Sequence, residues 1–272
     1  MERAPEGRDP DRRLLQARCM KNALLVSMLL AASACSRTAT VSPSSIPAQA
    51  VEATGDDVLS TSAGDVRIVP VHHGTLRLEI DGTILWIDPW SKGDLTGPKA
   101  DYVLVTDIHQ DHFDPAALAA VKKEGTVVVA PAAVAAKEPG AVALANGESR
   151  DFGKFSVEAV PAYNLQRGPE AGKLYHDKGR GNGYLVTMGG KRIYISGDTE
   201  CTDEMKTLRE VDVAFVSMNL PYTMPPSEAA VCIRAFRPKV IYPYHYRDSD
   251  LTELQSALAD EAGIEIRLRD WY

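Results

Sequence analysis

Short bursts of apolar residues, "VRIVPV", "TLRLEI", "TILWID" and "DYVLV", follow one another between residues 66 and 105, each bounded by Gly, Asp or Pro. Alternation with a period of two marks a half-buried strand, and an unbroken apolar burst of this length marks a fully buried one. Asp81-Gly82, between the second and third bursts, is the dipeptide of a tight hairpin turn, so the strands open as hairpins. After Asp101 the rhythm changes to strand and helix in alternation. "DPAALAAVKKEG" carries helix signals in the right order, with Asp114 as N-cap, Pro115 at the first helical position and Gly125 past the end.

The second half repeats this order. "GYLVTM", a Gly189-Gly190 turn and "KRIYIS" form a hairpin, and the apolar runs "DVAFVSM", "KVIYPY" and "IEIRL" alternate with helices near 202–209, 227–236 and 251–262. In both halves a hairpin ends in an acid, Asp88 or Asp198, before helix and strand units begin. Two similar halves, each a sheet covered by helices, are expected.

Residues 36–64, which include "SRTATVSPSSIPAQAVEATG", lack a hydrophobic period and read as a disordered tether, leaving a folded domain over 65–272. Ahead of the tether, "MKNALLVSMLLAASAC" has the basic start, short apolar run and small-residue end of an export signal. Its apolar part is too short to span a membrane, which takes about 20 residues. Ala32-Ser33-Ala34-Cys35 resembles a bacterial lipobox, so residues 1–35 are a leader with Met20 as the expected true start and Cys35 as the lipidated residue. That places the protein outside the cytoplasm, lipid-anchored in a bacterial periplasm. Of four cysteines only Cys201 and Cys232 then belong to the domain, and they read as two small buried thiols in separate helices, a disulfide between them being the alternative.

With 44% hydrophobic and 25% charged residues the composition is that of an ordinary globular protein, and a net charge of −7 leaves no basic footprint for nucleic acid. A small-molecule substrate fits better. The six histidines, His72, His73, His109, His112, His176 and His245, all lie at strand ends or in the loops that follow, where a sheet scaffold presents its working residues. In "TDIHQDHFDP", His109, Asp111 and His112 share one turn behind a buried strand, and imidazole with carboxylate suits zinc, iron or manganese. "ISGDT" and "YPYHY" add Asp198 and His245 at the ends of two other strands.

"DIHQDH", "SGDT" and "YPYHY", in this order, resemble the second, fourth and fifth motifs of the metallo-β-lactamase fold superfamily. "VHHGTLRLEIDGTILWIDPW" resembles the opening of its ascorbate-phosphate-lactonase-like branch, and the resemblance spans 66–246. It implies an α/β fold of four layers, an αββα sandwich of two mixed β-sheets flanked by helices. It also implies a two-ion site, with His109 on the first ion, Asp111, His112 and His245 on the second, and Asp198 between them.

Two positions depart from the family pattern HxHxDH. Asp107 stands where its first histidine belongs, and Tyr163 or Asn164 stands where a later one is expected. Asp107 can ligate through a carboxylate oxygen, and His176 can supply the missing imidazole. In this fold Asp88 most often orients a histidine ligand, and His73 is a candidate for the same role. "DKGRGNGY" offers Lys178 and Arg180 to an anionic substrate group, and Tyr222 in "MNLPYTMPP" walls the expected cleft.

The resemblance implies a metal-dependent hydrolase in which a metal-bound hydroxide, fixed by Asp111 and Asp198 with His176 nearby, attacks a small ester, lactone or phosphodiester. Two divalent ions, zinc with manganese or iron as alternatives, are expected, or one if the first site is not formed. No GxSxG elbow points to a nucleophilic serine instead. The competing reading is an exported metal-binding lipoprotein whose single ion shapes a ligand pocket without turnover.

Overall fold

The computed structural model describes residues 50–52 and 57–272; the leader, Met20 and Cys35 lie outside them. In chain order the elements of the first half are β1 (Ala50–Glu52), β2 (Asp57–Thr61), β3 (Gly64–His72), β4 (Thr75–Ile80), β5 (Thr83–Ile87), β6 (Ala100–Leu104), α1 (Pro115–Val121), β7 (Lys122–Ala130), α2 (Ala132–Ala135) and β8 (Val142–Ala143). The second half comprises β9 (Ser149–Asp151), β10 (Phe155–Ala162), β11 (Gly181–Met188), β12 (Lys191–Ile195), α3 (Asp203–Lys206), β13 (Val213–Ser217), α4 (Pro226–Phe236), β14 (Val240–Tyr244), α5 (Leu251–Leu258) and β15 (Glu265–Leu268).

β2 to β8 form one mixed sheet in sequence order, and the other runs β1-β15-β14-β13-β12-β11-β10-β9. Asp81 and Gly82 both take positive φ, 44° and 71°, and Ile80 pairs with Thr83 across them, which is the geometry of the tight hairpin read from the sequence. Alternation then sorts the layers. Leu76, Leu78, Leu85 and Ile87 face Val157, Tyr184, Val186 and Phe215 in a core between the sheets. Trp86, Val103 and Val128 point the other way, onto Leu118 and Val121 of α1, while Tyr194, Ala214, Val216 and Ile241 pack under α4 and α5. The four-layer αββα sandwich is present.

Several element boundaries differ from the sequence reading. α1 stops at Val121, because Lys122 leaves at ψ 153° to pair with Ala100, so "KKEG" belongs to β7. α3 is a single turn capped by Thr202, and α5 ends at Leu258. The domain boundary expected at residue 65 lies too late, since Asp57–Thr61 pairs with β3 and Ala50–Glu52 pairs parallel to β15. Asp57 fixes that boundary chemically: Tyr242 Oη donates to it at 2.7 Å, and Arg269 Nε and a terminal guanidinium nitrogen donate at 2.8 and 2.7 Å. The free-thiol expectation fails too. Cys201 and Cys232 form a disulfide with a Cα separation of 5.5 Å, joining the segment after Asp198 to α4, a pairing that spacing could not show.

The sheets are stitched together beside the "TDIHQDH" turn. Asn182 N–H donates to the Thr106 carbonyl at 2.8 Å, and the buried Tyr184 hydroxyl donates to the Val105 carbonyl, also at 2.8 Å. Both donors lie on β11 of one sheet, and both acceptors follow β6 of the other.

Candidate metal centre

Asp88 leaves β5 in the left-handed region, φ 43°, and is fully buried. Thr106 N and Oγ1 donate to its two oxygens at 2.7 and 2.5 Å. Its remaining acceptor capacity meets His112 Nδ1 at 2.8 Å, so the Nδ1 proton points at Asp88 and Nε2 faces the cleft. His73 and His245 also have positive φ, 55° and 49°. A non-glycine residue held this way costs on the order of 1 kcal/mol, and such strain clusters at functional sites. Gly74 gives the two imidazoles room, since a Cβ there would stand 3.2 Å from His245 and 3.7 Å from His112.

His176 is supported in a parallel manner by a residue the sequence reading left unassigned. Asn164 Oδ1 accepts from His176 Nδ1 at 2.6 Å and from His176 N at 2.9 Å. Asn164 Nδ2 donates to Glu200 and to the Tyr222 carbonyl, which fixes the amide's orientation. His176 therefore presents Nε2. At the position where the family's later histidine was expected, Asn164 holds an imidazole that enters from the next loop.

Nε2 of His176 and Nε2 of His112 lie 3.2 and 3.4 Å from Asp198 Oδ2, and Nε2 of His245 lies 3.5 Å from Asp198 Oδ1. Asp111 Oδ2 is 3.5 Å from the same His245 nitrogen, and Asp111 Oδ1 is 4.0 Å from His112 Nε2. His112, Asp198 and His245 offer one cluster of donor atoms within 4.8 Å of one another, and Asp107, His109 and His176 offer a second. Nε2 of His112, of His176 and of His245, with Asp198 Oδ1, are buried without a hydrogen-bond partner. Such atoms are costly unless something binds them, and convergent imidazole and carboxylate donors are what a divalent transition ion takes. The residues present fit one.

Asp107 is occupied from behind. Arg180 grips both its oxygens at 3.1 Å, and His109 Nδ1 lies 2.8 Å from Oδ2. Burial pushes this carboxyl up, but the His109 contact and the charges of His112 and Arg180 hold it well below the usual range. Asp111 is likewise ionised, burial being outweighed by His112, His245 and His73. Burial lowers the His73 imidazole to about 4, so it is neutral at pH 7. Its Nε2 then donates to Asp111 Oδ2 at 3.2 Å, and its Nδ1 accepts from Tyr272 Oη at 2.8 Å. His73 thus touches Asp111, whereas Asp88 touches His112.

Of the other residues singled out from sequence, Tyr222 lines the cleft and meets Tyr175 edge to face at 5.0 Å. Lys178 does not reach the cleft; it pairs with Glu204 at 2.6 Å. Arg180 faces Asp107. Neither cation lines the cleft. The cleft, about 260 Å³, is lined by His109, Asp111, Tyr175, His176, Asp198, Asn219, Tyr222, His245 and Arg247. Two lining residues were not among the sequence candidates: Asn219 lies inside "MNLPYTMPP", next to the expected wall residue Tyr222, and Arg247 directly follows "YPYHY".

The profile described as beta-lactamase superfamily domain matches residues 67–245. A UPF0173 metal-dependent hydrolase of Symbiobacterium thermophilum is 33% identical over 203 residues, covering 68% of this chain and 84% of the relative. Another from Enterococcus faecalis is 30% identical, covering 69% and 90%. A solved structure from Parabacteroides distasonis, assigned as a metal-dependent hydrolase, superposes with a TM-score of 0.76 at 40% identity, covering 81% of this chain and all of the other. The motif order, the sandwich and the cluster of imidazoles and carboxylates agree with these likenesses: the chain belongs to the metallo-β-lactamase superfamily and is a metal-dependent hydrolase.

Proposed function

We propose that the protein hydrolyses a small ester, lactone or phosphodiester at a centre for two divalent ions, zinc being the first choice for this donor set. Asp107, His109 and His176 would hold one ion, Asp111, His112 and His245 the other, with Asp198 between them. The carrying observation is the convergence of the unpartnered Nε2 atoms of His112, His176 and His245 on Asp198 at the floor of the cleft. Divalent ions held there supply Lewis acidity towards a carbonyl or phosphoryl oxygen and acidify a water molecule.

The chain's own residues do the remaining work. Asp111 and Asp198, both ionised, accept hydrogen bonds and so orient a water for attack. His73 keeps Asp111 in place through Nε2–H, while Asn164 and Asp88 fix which nitrogen His176 and His112 present. Tyr175 and Tyr222 wall one side of the cleft and give a small carbon skeleton an aromatic surface.

Elemental analysis of the purified domain, beside hydrolysis of a generic lactone and a generic phosphodiester, tests this reading. Close to two ions per chain, turnover abolished by chelator and loss of turnover in Asp198→Ala are expected. One bound ion and no turnover across a broad panel would replace it with the non-catalytic binder.

Export with lipid on Cys35 belongs to the same proposal. It is supported by the signal-like segment and by the Cys201–Cys232 disulfide, a bond that persists in oxidising compartments and is rare in the cytosol. Mass spectrometry of the mature N-terminus tests it: a lipidated Cys35 is expected, and an unprocessed N-terminus would end it.

A further inference from the structure

Three cations stand near the cleft or in the glycine-rich loop beside it, and two are already committed. Lys178 is paired with Glu204 and Arg180 with Asp107. Arg247, two residues after His245, is different. Among the described residues its guanidinium has no hydrogen-bonded acceptor, and its nearest carboxylate oxygen is Asp111 Oδ2, at 4.0 Å. The side chain is 46% exposed and lies over the Tyr222 ring, 5.8 Å from its centroid. Its backbone is fixed in the left-handed region, φ 44°, with its N–H donating to Tyr272 Oη at 2.7 Å. That same hydroxyl contacts His73, which contacts Asp111.

Arg247 also lines a second cleft of about 370 Å³ with His72, His73, Trp90, Lys92, Asp248 and Tyr272. It therefore stands at the junction of the two clefts, its donors open to both. A planar guanidinium with free donors matches a carboxylate in a two-point contact, and a single positive charge balances a single negative one. The group it binds would sit beside the reacting bond, since Asp111 is within 4.0 Å of the same guanidinium.

We propose that Arg247 is the specificity-determining residue of the cleft and selects substrates that carry a carboxylate next to the scissile bond. This rests on the hydrolase reading of the same cleft and narrows its substrate class from any small ester, lactone or phosphodiester to one that bears a carboxylate. The carboxylate docks on Arg247, the carbon skeleton lies against Tyr222 and Tyr175, and the bond to be cleaved faces Asp198.

A matched pair of lactones separates charge from shape: γ-carboxy-γ-butyrolactone and γ-valerolactone, with a carboxylate and a methyl group at the same carbon. The metal-loaded wild type should prefer the acidic lactone in kcat/KM by roughly 10- to 100-fold, the range of one charge-assisted contact. Arg247→Gln should erase at least tenfold of that preference, through KM, and Arg247→Lys should restore part of it. An unchanged preference in R247Q would overturn the proposal.

Calorimetric titration with glutarate reads the anion site without turnover. Wild-type protein should bind it at least tenfold more tightly than R247Q, and equal binding, or none, counts against the proposal. If neither lactone is cleaved yet glutarate binding depends on Arg247, the anion site stands and the hydrolase reading is what fails.

Discussion

Asn164 and Asp88 do the same job for two different histidines: each fixes the Nδ1 side of an imidazole so that Nε2 is presented. Removing such an orienting partner costs a metal site about 10- to 100-fold in affinity or activity. Asn164→Ala should therefore lower turnover by that factor and release about one ion per chain, read by elemental analysis after dialysis. Asp88→Asn should weaken binding of the ion at His112 to a similar extent. Gly197, in "SGDT", has a different constraint. It sits at φ 61°, and a Cβ there would come within 2.8 Å of the Asn182 carbonyl oxygen. Gly197→Ala should destabilise the fold by about 1–3 kcal/mol, measured by urea unfolding, because backbone must move to admit it. The donor residues were legible in the sequence because motif spacing is chemistry written locally. Asn164 was not, since nothing in "VPAYN" says that an amide there will meet a histidine twelve residues on. Arg247 was equally invisible, because what distinguishes it is that no described neighbour accepts a hydrogen bond from its guanidinium, the nearest carboxylate standing off at 4.0 Å.

The strands around the motifs were legible as elements, being short, strongly alternating and closed by clear turn residues. Those at the margins were not. β1 and β2 lie in a stretch rich in Ser, Thr and Ala, and their places are set by pairing, β1 with residues 216 positions on (Ala50 with Ile266) and β2 with residues 3 to 11 positions on (Thr61 with Gly64, Asp57 with Ile68). Asp57 on β2 gives a pH test of that placement. Burial raises its carboxyl, but hydrogen bonds from Arg269 and Tyr242 and the charge of Arg267 outweigh it, leaving the pKa below its ordinary value. A depressed carboxylate contributes stability above the unfolded value, near 4, and the contribution is lost as pH falls through the folded value. Wild-type stability should thus fall more steeply below about pH 4 than that of Asp57→Asn, which should already be the weaker protein at pH 7; denaturant midpoints across that range decide it. The disulfide closes a loop of 31 residues between α4 and the segment after Asp198. Replacing both cysteines by serine should cost about 3.7 kcal/mol on the loop-entropy account, again read from the denaturant midpoint.

At the scale of the whole molecule, the donor atoms are split between the sheets. Asp107, His109, Asp111 and His112 follow β6 of one sheet, while Asp198 and His245 follow β12 and β14 of the other. Their separation is set by the packed layer between the sheets and by the two hydrogen bonds from β11 to the Val105 and Thr106 carbonyls. Tyr184→Phe, which strands the buried Val105 carbonyl, should cost about 1–3 kcal/mol and should also lower kcat, because a small misplacement of reacting groups is expensive in rate. This stitching implies a particular response to heat. Warming should open these two hydrogen bonds before the core between the sheets melts, letting the loop after β6 shift against those after β12 and β14 while both sheets are still intact. Catalysis would then fade reversibly some degrees below the unfolding midpoint, and cooling would restore it without refolding.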